Sequence, residues 1–416
     1  MVLLDSQSRL RSHHAPRDGY VVQKPESTEA SSVGVTDSGC WKAFGGMSSH
    51  FLFAICQIGA EAALKNEVLW KHSDFRFAYS RPGFVTFRIP DDVVRDRKFE
   101  LRGTFVRTWG FSIGKVSGTD GHQLARDFWK PLSERYPASV LPQFKHLHVW
   151  QRDRELPGDF GYEPGVTPLA DAVGELILEH KPDVGMDWPL PLNEDAQEDD
   201  RILDCVLVEP NEWWFGWHRA SSMETRWPGG VPLIESPDDM ISRTYLKMAE
   251  SLLWSELPIK TGDRCVEVGS APGGSCQALL ERGCLVTGID PAEMDPLVIA
   301  HRNFTHLRAK AKEVKRNTFQ KVRWLAADAN VAPKYTLDMV EAIVAHPGVQ
   351  IEGLILTLKM TDPELVSDIP LFNKRIRSWG YRQVRARQLA FNRQEVCVVA
   401  TDLKPPVVDE TSRDLE

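Results

Sequence analysis

The sequence predicts an α/β protein whose C-terminal part is a mostly parallel sheet with helices on both faces and an antiparallel last strand, preceded by a smaller α/β region. Two observations predict it. From Ile241 to about Asp402, short apolar runs alternate with amphipathic helical patterns across short loops. From Phe51 to about residue 180, the same two periodicities recur less regularly.

Composition narrows the possibilities. A chain of 416 residues exceeds the usual domain size of ~100–200 residues, so two or more folded units are expected. The 42% hydrophobic and 26% charged content is that of a soluble globular protein. With 50 basic against 58 acidic residues and a net charge of −8, there is no chain-wide basic footprint for nucleic acid, so any such footprint must be local. No stretch approaches the ~20 apolar residues of a membrane span, and Asp5 breaks the N-terminal apolar run too early for a signal peptide. A cytoplasmic protein without a membrane partner is expected. The seven cysteines are odd in number and never spaced C-x-x-C, which argues against a disulfide framework and against a zinc or other metal site. Cys265, Cys276 and Cys284 flank a glycine-rich turn and read as buried filler rather than reactive thiols.

In chain order, residues 1–47 are rich in Ser, Gly, Pro and charge without periodicity, and read as a disordered tail. Met47 could be the true start, which intact-mass measurement of the native protein would test. In the α/β region, 48–210, "FLFAICQ" reads as a strand, "GAEAALKNEVLWK" as a helix and "GFVTFRI" as a strand. "TFVRTWGFSIGKV" and "FKHLHVWQRD" then look extended, and "DGHQLARDFWKPL" and "TPLADAVGELILEH" helical, as a second α/β unit. "KPDVGMDWPLPLNEDAQEDD" is acidic, proline-rich and connector-like. "RILDCVLVEPNEWWFGWHRA" suggests two strands turning at Pro210–Asn211, with tryptophans that pack rather than stack on bases, and 211–240 is taken as a connecting hairpin and linker.

The regular part, 241–405, opens with helix "SRTYLKMAESLLWS", strand "RCVEVGS", helix "SCQALLER" and strand "LVTGID". Then come strand "KVRWLAAD", helix "TLDMVEAIVAH", strand "EGLILTLK", helix "DIPLFNKRIRSWG" and the final pair "RQVRARQLA" and "EVCVVATD", before a flexible tail at 406–416. Gly269 follows a strand, Gly273 and Gly274 allow close backbone approach at a helix N-terminus, and Asp290 ends the next strand, where a carboxylate can accept two ribose hydroxyls. The spacing G-x-x-x-G-G is neither the dinucleotide fingerprint nor a phosphate-cradling loop, and the layout favours S-adenosylmethionine over a nicotinamide. Asp328 and Lys359 close two further strands at the same edge, and Glu395 joins them if its strand runs antiparallel. Lys247 lies in the helix before the glycine turn. Taken singly, each is more often a solvated strand end or helix face; together they suggest a site with two lysines and two carboxylates.

In that order, "SRTYLK", "GSAPGG", "LAAD", "LTLKM" and "NRQEVCV" resemble the motif series of the FtsJ-like RNA ribose 2′-O-methyltransferases, and among them the RlmM-type large-subunit rRNA cytidine methyltransferases. The resemblance covers about 200–402 and thins towards the N-terminus, where "FAICQIGAEAALKNEV" resembles a ferredoxin-like and THUMP-like RNA-binding half in outline. It implies a Rossmann-like methyltransferase domain, S-adenosylmethionine as cofactor, RNA of the large ribosomal subunit as substrate, and a catalytic tetrad of Lys247, Asp328, Lys359 and Glu395. It also implies cofactor contacts from Thr244, Gly269, Ser270, Ala271, Pro272, Gly273, Gly274, Asp290 and Asp328. Where the family offers an acidic group towards the adenine, this chain has Lys310.

The tetrad suits that chemistry. A ribose hydroxyl is a poor nucleophile, so the site must orient it and help remove its proton. Lys359 is expected to do so with its pKa lowered by desolvation and by the Lys247 ammonium, while Asp328 and Glu395 hold the two amines. Two basic stretches offer local positive charge for RNA: 301–323 holds eight Lys/Arg against one acid, and 372–393 holds seven against none. Two alternatives stay open: methylation of a base or small molecule, which "DANVAP" in place of an N/D-P-P-Y/F turn disfavours, and a noncatalytic RNA-binding protein that keeps the fold, which retention of all four tetrad residues disfavours.

Overall fold

The computed structural model describes residues 50–403 except Pro363. The tails expected over 1–47 and 406–416, and the alternative start at Met47, lie outside the described residues.

The first elements are β1 (His50–Ile55), α1 (Glu61–Lys71), β2 (Arg76–Arg81), β3 (Phe84–Ile89), a short α2 (Asp91–Arg95) and β4 (Thr108–Ser117). β1 pairs antiparallel with both β3 and β4, and β3 antiparallel with β2, which is the β-α-β-β-α-β, ferredoxin-like plan. Next come α3 (Gly121–Arg135), β5 (Phe144–Gln151), α4 (Pro168–Glu179), β6 (Arg201–Glu209) and β7 (Glu212–Arg219). Asp120 and Thr167 cap the two helices, each accepting a backbone N–H three residues on at 3.2 Å.

These two units share one sheet. β7 pairs with β6 on one side and with β4 on the other, giving a single seven-stranded sheet in the order β2-β3-β1-β4-β7-β6-β5. The strand at 212–219, read from sequence as part of a connecting hairpin, therefore lies inside the N-terminal sheet. Its tryptophans explain the placement: Trp213 and Trp217 are buried, and the half-buried Trp214 stacks on Tyr79 at 5.4 Å.

The C-terminal half contains α5 (Thr244–Ser255), β8 (Arg264–Val268), α6 (Gly274–Glu281), β9 (Leu285–Ile289), α7 (Pro296–Ile299) and β10 (Phe304–Leu307). It continues with β11 (Trp324–Ala327), α8 (Pro333–Val344), β12 (Gly353–Lys359), α9 (Leu365–Ser378), β13 (Tyr381–Arg387) and β14 (Glu395–Leu403). The sheet order is β10-β9-β8-β11-β12-β14-β13, parallel from β10 to β12, with β14 antiparallel to both its neighbours. The antiparallel last strand is as expected. β10 is not, because a four-residue, half-buried edge strand carries no apolar run to betray it. The order reverses at β8, which has β9 on one side and β11 on the other. Ligands of such sheets bind outside the carboxyl ends at that switch point. All six described cysteines are buried and free, as filler should be.

Candidate active site

At the switch point the backbone comes too close for side chains. Gly269 follows β8 with φ +81°, and a Cβ there would stand 2.6 Å from the Asp328 carbonyl oxygen. Gly273, φ +127°, would place one 2.8 Å from Val298, and Gly274, the first residue of α6, one 2.6 Å from the Thr244 hydroxyl, itself 2.8 Å from the Ser242 hydroxyl. The loop is thus a bare backbone shelf at a helix start. Of the residues between, Ser270 is buried with its hydroxyl on the Met294 sulfur at 3.5 Å, Ala271 is half-buried and Pro272 is exposed. Asp290 follows β9 and holds the shelf: its carboxylate accepts the N–H groups of Ala292 at 2.8 Å and Ala271 at 3.3 Å.

Beside this shelf the four charged residues form a closed ring. The Lys247 ammonium donates to Asp328 at 2.5 Å and to Glu395 at 2.9 Å. The Lys359 ammonium reaches the other oxygen of each carboxylate, Asp328 at 2.8 Å and Glu395 in a still shorter contact. Three backbone relationships bring them together. Asp328 follows β11 next to Gly269, Lys359 and Glu395 are directly paired across β12 and β14, and α5 lays Lys247 over them. Lys359 is the most accessible member, its side chain 17% exposed against 7–10% for the others.

The electrostatics reverse one expectation. Burial alone would lower the Lys359 amine, but Asp328 and Glu395 outweigh it and raise the amine above its ordinary value, so Lys359 is held as an ammonium rather than released as an amine. The Asp328 carboxyl would be pushed up by burial, yet Lys247 and Lys359 hold it below the usual range.

Two carboxylates escaped the sequence reading. Glu267 on β8 is fully buried beneath the glycine loop, accepts the Cys276 thiol at 3.0 Å, and is pushed up to about 8 by burial. Glu250, on α5 one turn beyond Lys247, is pushed up to about 7 by burial despite accepting two backbone N–H groups. The signal for Glu267 was a lone acid inside the apolar run "CVEVG"; Glu250 has none, since an acid on an amphipathic helix is ordinarily solvated. Lys310 is exposed, and its backbone N–H donates to the Glu313 carboxylate at 3.3 Å.

The basic stretches fare differently. In 372–393, Arg375, Arg382, Arg387 and Arg393 are used in ion pairs, and Arg377 and Arg385 on backbone carbonyls. In 301–323, Arg302, Lys310, Lys312, Lys315 and Lys321 are exposed and form no ion pair among the described residues. Among the described residues of the two stretches, the one around β10 thus offers five exposed cations outside ion pairs, against Lys374 in the other, where Arg377 and Arg385 are held on backbone carbonyls.

Residues 240–359 match the family model of the FtsJ-like methyltransferase. Over those residues the chain is similar to the FtsJ-like methyltransferases. The match spans the glycine shelf and three of the four ring residues, Glu395 lying beyond it. Among curated proteins, the chain is similar to the ribosomal RNA large subunit methyltransferase M of Azoarcus sp., 28% identical over 183 residues, covering 42% of this chain and 50% of that protein. It is also similar to the protein of that name from Teredinibacter turnerae, 25% identical over 366 residues, covering 83% of this chain and 97% of the other. The chain thus spans about half the length of the first relative and nearly all of the second. A solved structure of TrmN from Thermus thermophilus aligns at 14% identity with a TM-score of 0.31, covering 85% of this chain and all of that one.

The shelf meets the needs of S-adenosylmethionine. Three glycines leave room that any Cβ would fill, and a carboxylate stands at the adjacent strand end where ribose hydroxyls can be accepted. No helix among the described residues is long and apolar enough to cross a membrane.

Proposed function

We propose that the protein is a cytoplasmic, S-adenosylmethionine-dependent RNA ribose 2′-O-methyltransferase acting on large-subunit rRNA. The observation that carries this reading is the closed Lys247–Asp328–Lys359–Glu395 ring at the carboxyl edge of the sheet, beside a glycine shelf. Similarity to the methyltransferase M proteins supports the large-subunit rRNA as substrate.

The cofactor's sulfonium supplies a methyl group that a correctly placed oxygen can take. Gly269, Ser270, Ala271, Pro272, Gly273 and Gly274 would hold it along their backbone, with Thr244 supporting the loop, the Asp290 carboxylate able to accept ribose hydroxyls, and Asp328 a further contact. Lys359, the most accessible of the ring, meets the ribose 2′-hydroxyl. Held as an ammonium by Asp328 and Glu395, it orients the oxygen through an N–H, and in its amine form it accepts the hydroxyl proton as the oxygen attacks. Lys247 bonds the same two carboxylates from the inner side, which holds them in place. The N-terminal region 48–210, with a THUMP-like role after its ferredoxin-like part, and the cations around β10 take the RNA backbone.

The test is methyl transfer from labelled S-adenosylmethionine to unmodified rRNA and to assembled subunits, comparing wild type with Lys359→Ala and analysing the product nucleosides. A 2′-O-methylnucleoside from the wild type and a 10²–10⁴-fold slower variant, roughly the worth of a positioned acid–base group, is the expected result. Label appearing on a base instead would replace the ribose reading with base methylation.

A further inference from the structure

The seven residues before Glu395 are held by hydrogen-bond partners from both halves of the chain. Gln57, buried in the turn after β1, uses both ends of its amide there: its nitrogen donates to the Asn392 carbonyl, and its oxygen accepts from the Gln388 side chain at 3.0 Å. The Gln388 N–H donates to the Thr104 carbonyl at 2.7 Å, and Arg387 bonds the Arg107 carbonyl and pairs with Glu224 at 2.8 Å. From the methyltransferase side, Glu250 accepts the N–H groups of Ala390 at 2.8 Å and Phe391 at 2.9 Å.

The loop also closes on itself. The Asn392 carboxamide accepts the Leu389 N–H at 2.9 Å, and the Gln388 side chain donates to the Arg393 carbonyl at 2.9 Å. Its end leads straight into the ring: the Gln394 carbonyl accepts the N–H of Met360, next to Lys359, at 2.7 Å, and the Arg393 N–H lies 3.4 Å from the Glu395 carboxylate. Buried polar groups of this density contribute little net stability over an apolar interface, but they admit few alternative geometries.

We propose that the N-terminal half positions the catalytic ring through the loop 388–394, with Gln57 and Gln388 as positioning residues that set where Glu395 stands against Lys359. The inference rests on the functional reading above. It makes the N-terminal half more than an RNA-holding module: chemistry requires that half to be docked. Lys359 faces Asp328 from the end of β11, Glu395 from the start of β14 and, across the ring, Lys247 from α5. Letting Glu395 drift removes one of the two carboxylates that keep Lys359 protonated.

The experiment uses the full chain with Gln57→Met, which keeps length and bulk but not hydrogen bonding, and Gln388→Met as a second variant. Three quantities are read: steady-state methylation of rRNA, S-adenosylmethionine affinity by calorimetry, and the ionisation of Lys359 from the 13Cε shift in lysine-labelled protein, assigned with Lys359→Arg. The expected result is a fall of about tenfold or more in kcat, because the Lys359 amine is no longer aimed and this outweighs its larger amine fraction, with KM and cofactor Kd within about twofold and a Lys359 titration displaced to lower pH. The double variant should be no worse than either single one, since both break the same link. Folded variants with unchanged kcat and an unmoved Lys359 titration would overturn the proposal, as would a raised KM at unchanged kcat. If the wild type itself methylates no RNA, the functional reading fails, while the Lys359 titration still decides whether Gln57 positions the ring.

Discussion

Lys359 and Glu395 occupy directly paired positions on the antiparallel strands β12 and β14, and their side chains close the ring from the same sheet edge on which Gly269 and Asp290 lie. Because the last strand runs backwards, its first residue meets the last residue of its neighbour. The proposed catalytic pair thus comes from backbone register, and its charge state governs the first prediction.

The methylation rate should rise with pH. Burial would lower Lys359, but Asp328 and Glu395 raise it above the ordinary lysine value, so the proton-accepting amine is a minor form at neutral pH. Turnover at saturating substrates should climb about tenfold per pH unit from pH 7 towards 9.5, and Glu395→Gln should move the climb to lower pH. A flat wild-type profile over that range would show that Lys359 need not lose its proton.

Glu267 should make the fold less stable as pH rises. Its carboxyl is raised from an ordinary value of 4.5 to about 8, so its favourable protonated state is fully present below pH 4.5 and is lost as pH climbs through 8. Chemical denaturation of Glu267→Gln should show a gain on the order of a few kcal/mol at pH 8.5 and little change at pH 5. Equal effects at both pH values would mean that Glu267 is ionised throughout.

Gly269→Ala should cost both stability and cofactor. The added Cβ meets the Asp328 carbonyl at 2.6 Å in a backbone with φ +81°, so the gap between β8 and β11 must open. A loss of roughly 2–4 kcal/mol in urea denaturation and at least tenfold in S-adenosylmethionine affinity is expected. Gly262→Ala is the control, with φ +87° but nothing within 4 Å of the new Cβ, and should cost less and spare the cofactor.

The exposed lysines after β10 should carry RNA affinity in a salt-dependent way. Replacing Lys310, Lys312 and Lys315 together by alanine should reduce the slope of log K against log salt by about 2, at roughly 0.7 per lost phosphate contact with single-stranded RNA. Replacing Arg375 and Arg382, whose charges are already spent on Asp338, Glu341 and Asp402, should leave the slope near its wild-type value. The reverse pattern would move the RNA path to the other edge of the sheet.

Legibility differed between the two halves for a physical reason. In 241–402, sequential elements are also spatial neighbours: β8 leads to β9 and β11 to β12, so local periodicity carried the sheet, and the strand-end residues followed from its direction. In the N-terminal half, β4 pairs with β7, about a hundred residues later, and nothing in either strand names its partner. The two α/β units therefore read as separate, and the hairpin that joins them read as a linker.

The sequence by itself determined the alternation of strand and helix in the C-terminal half, the glycines that clear a cofactor shelf, and the identity of the four charged residues at one sheet edge. These are local properties, written in periodicity and in residue type at strand ends. Only the tertiary structure decided that Lys359 is held as an ammonium, that Glu250 and Glu267 are raised, and that Gln57 from the first strand turn is bonded to the loop before Glu395. Ionisation and long-range hydrogen bonding depend on what lies within a few ångströms through space, and residues 57 and 392 become neighbours only when both sheets have formed.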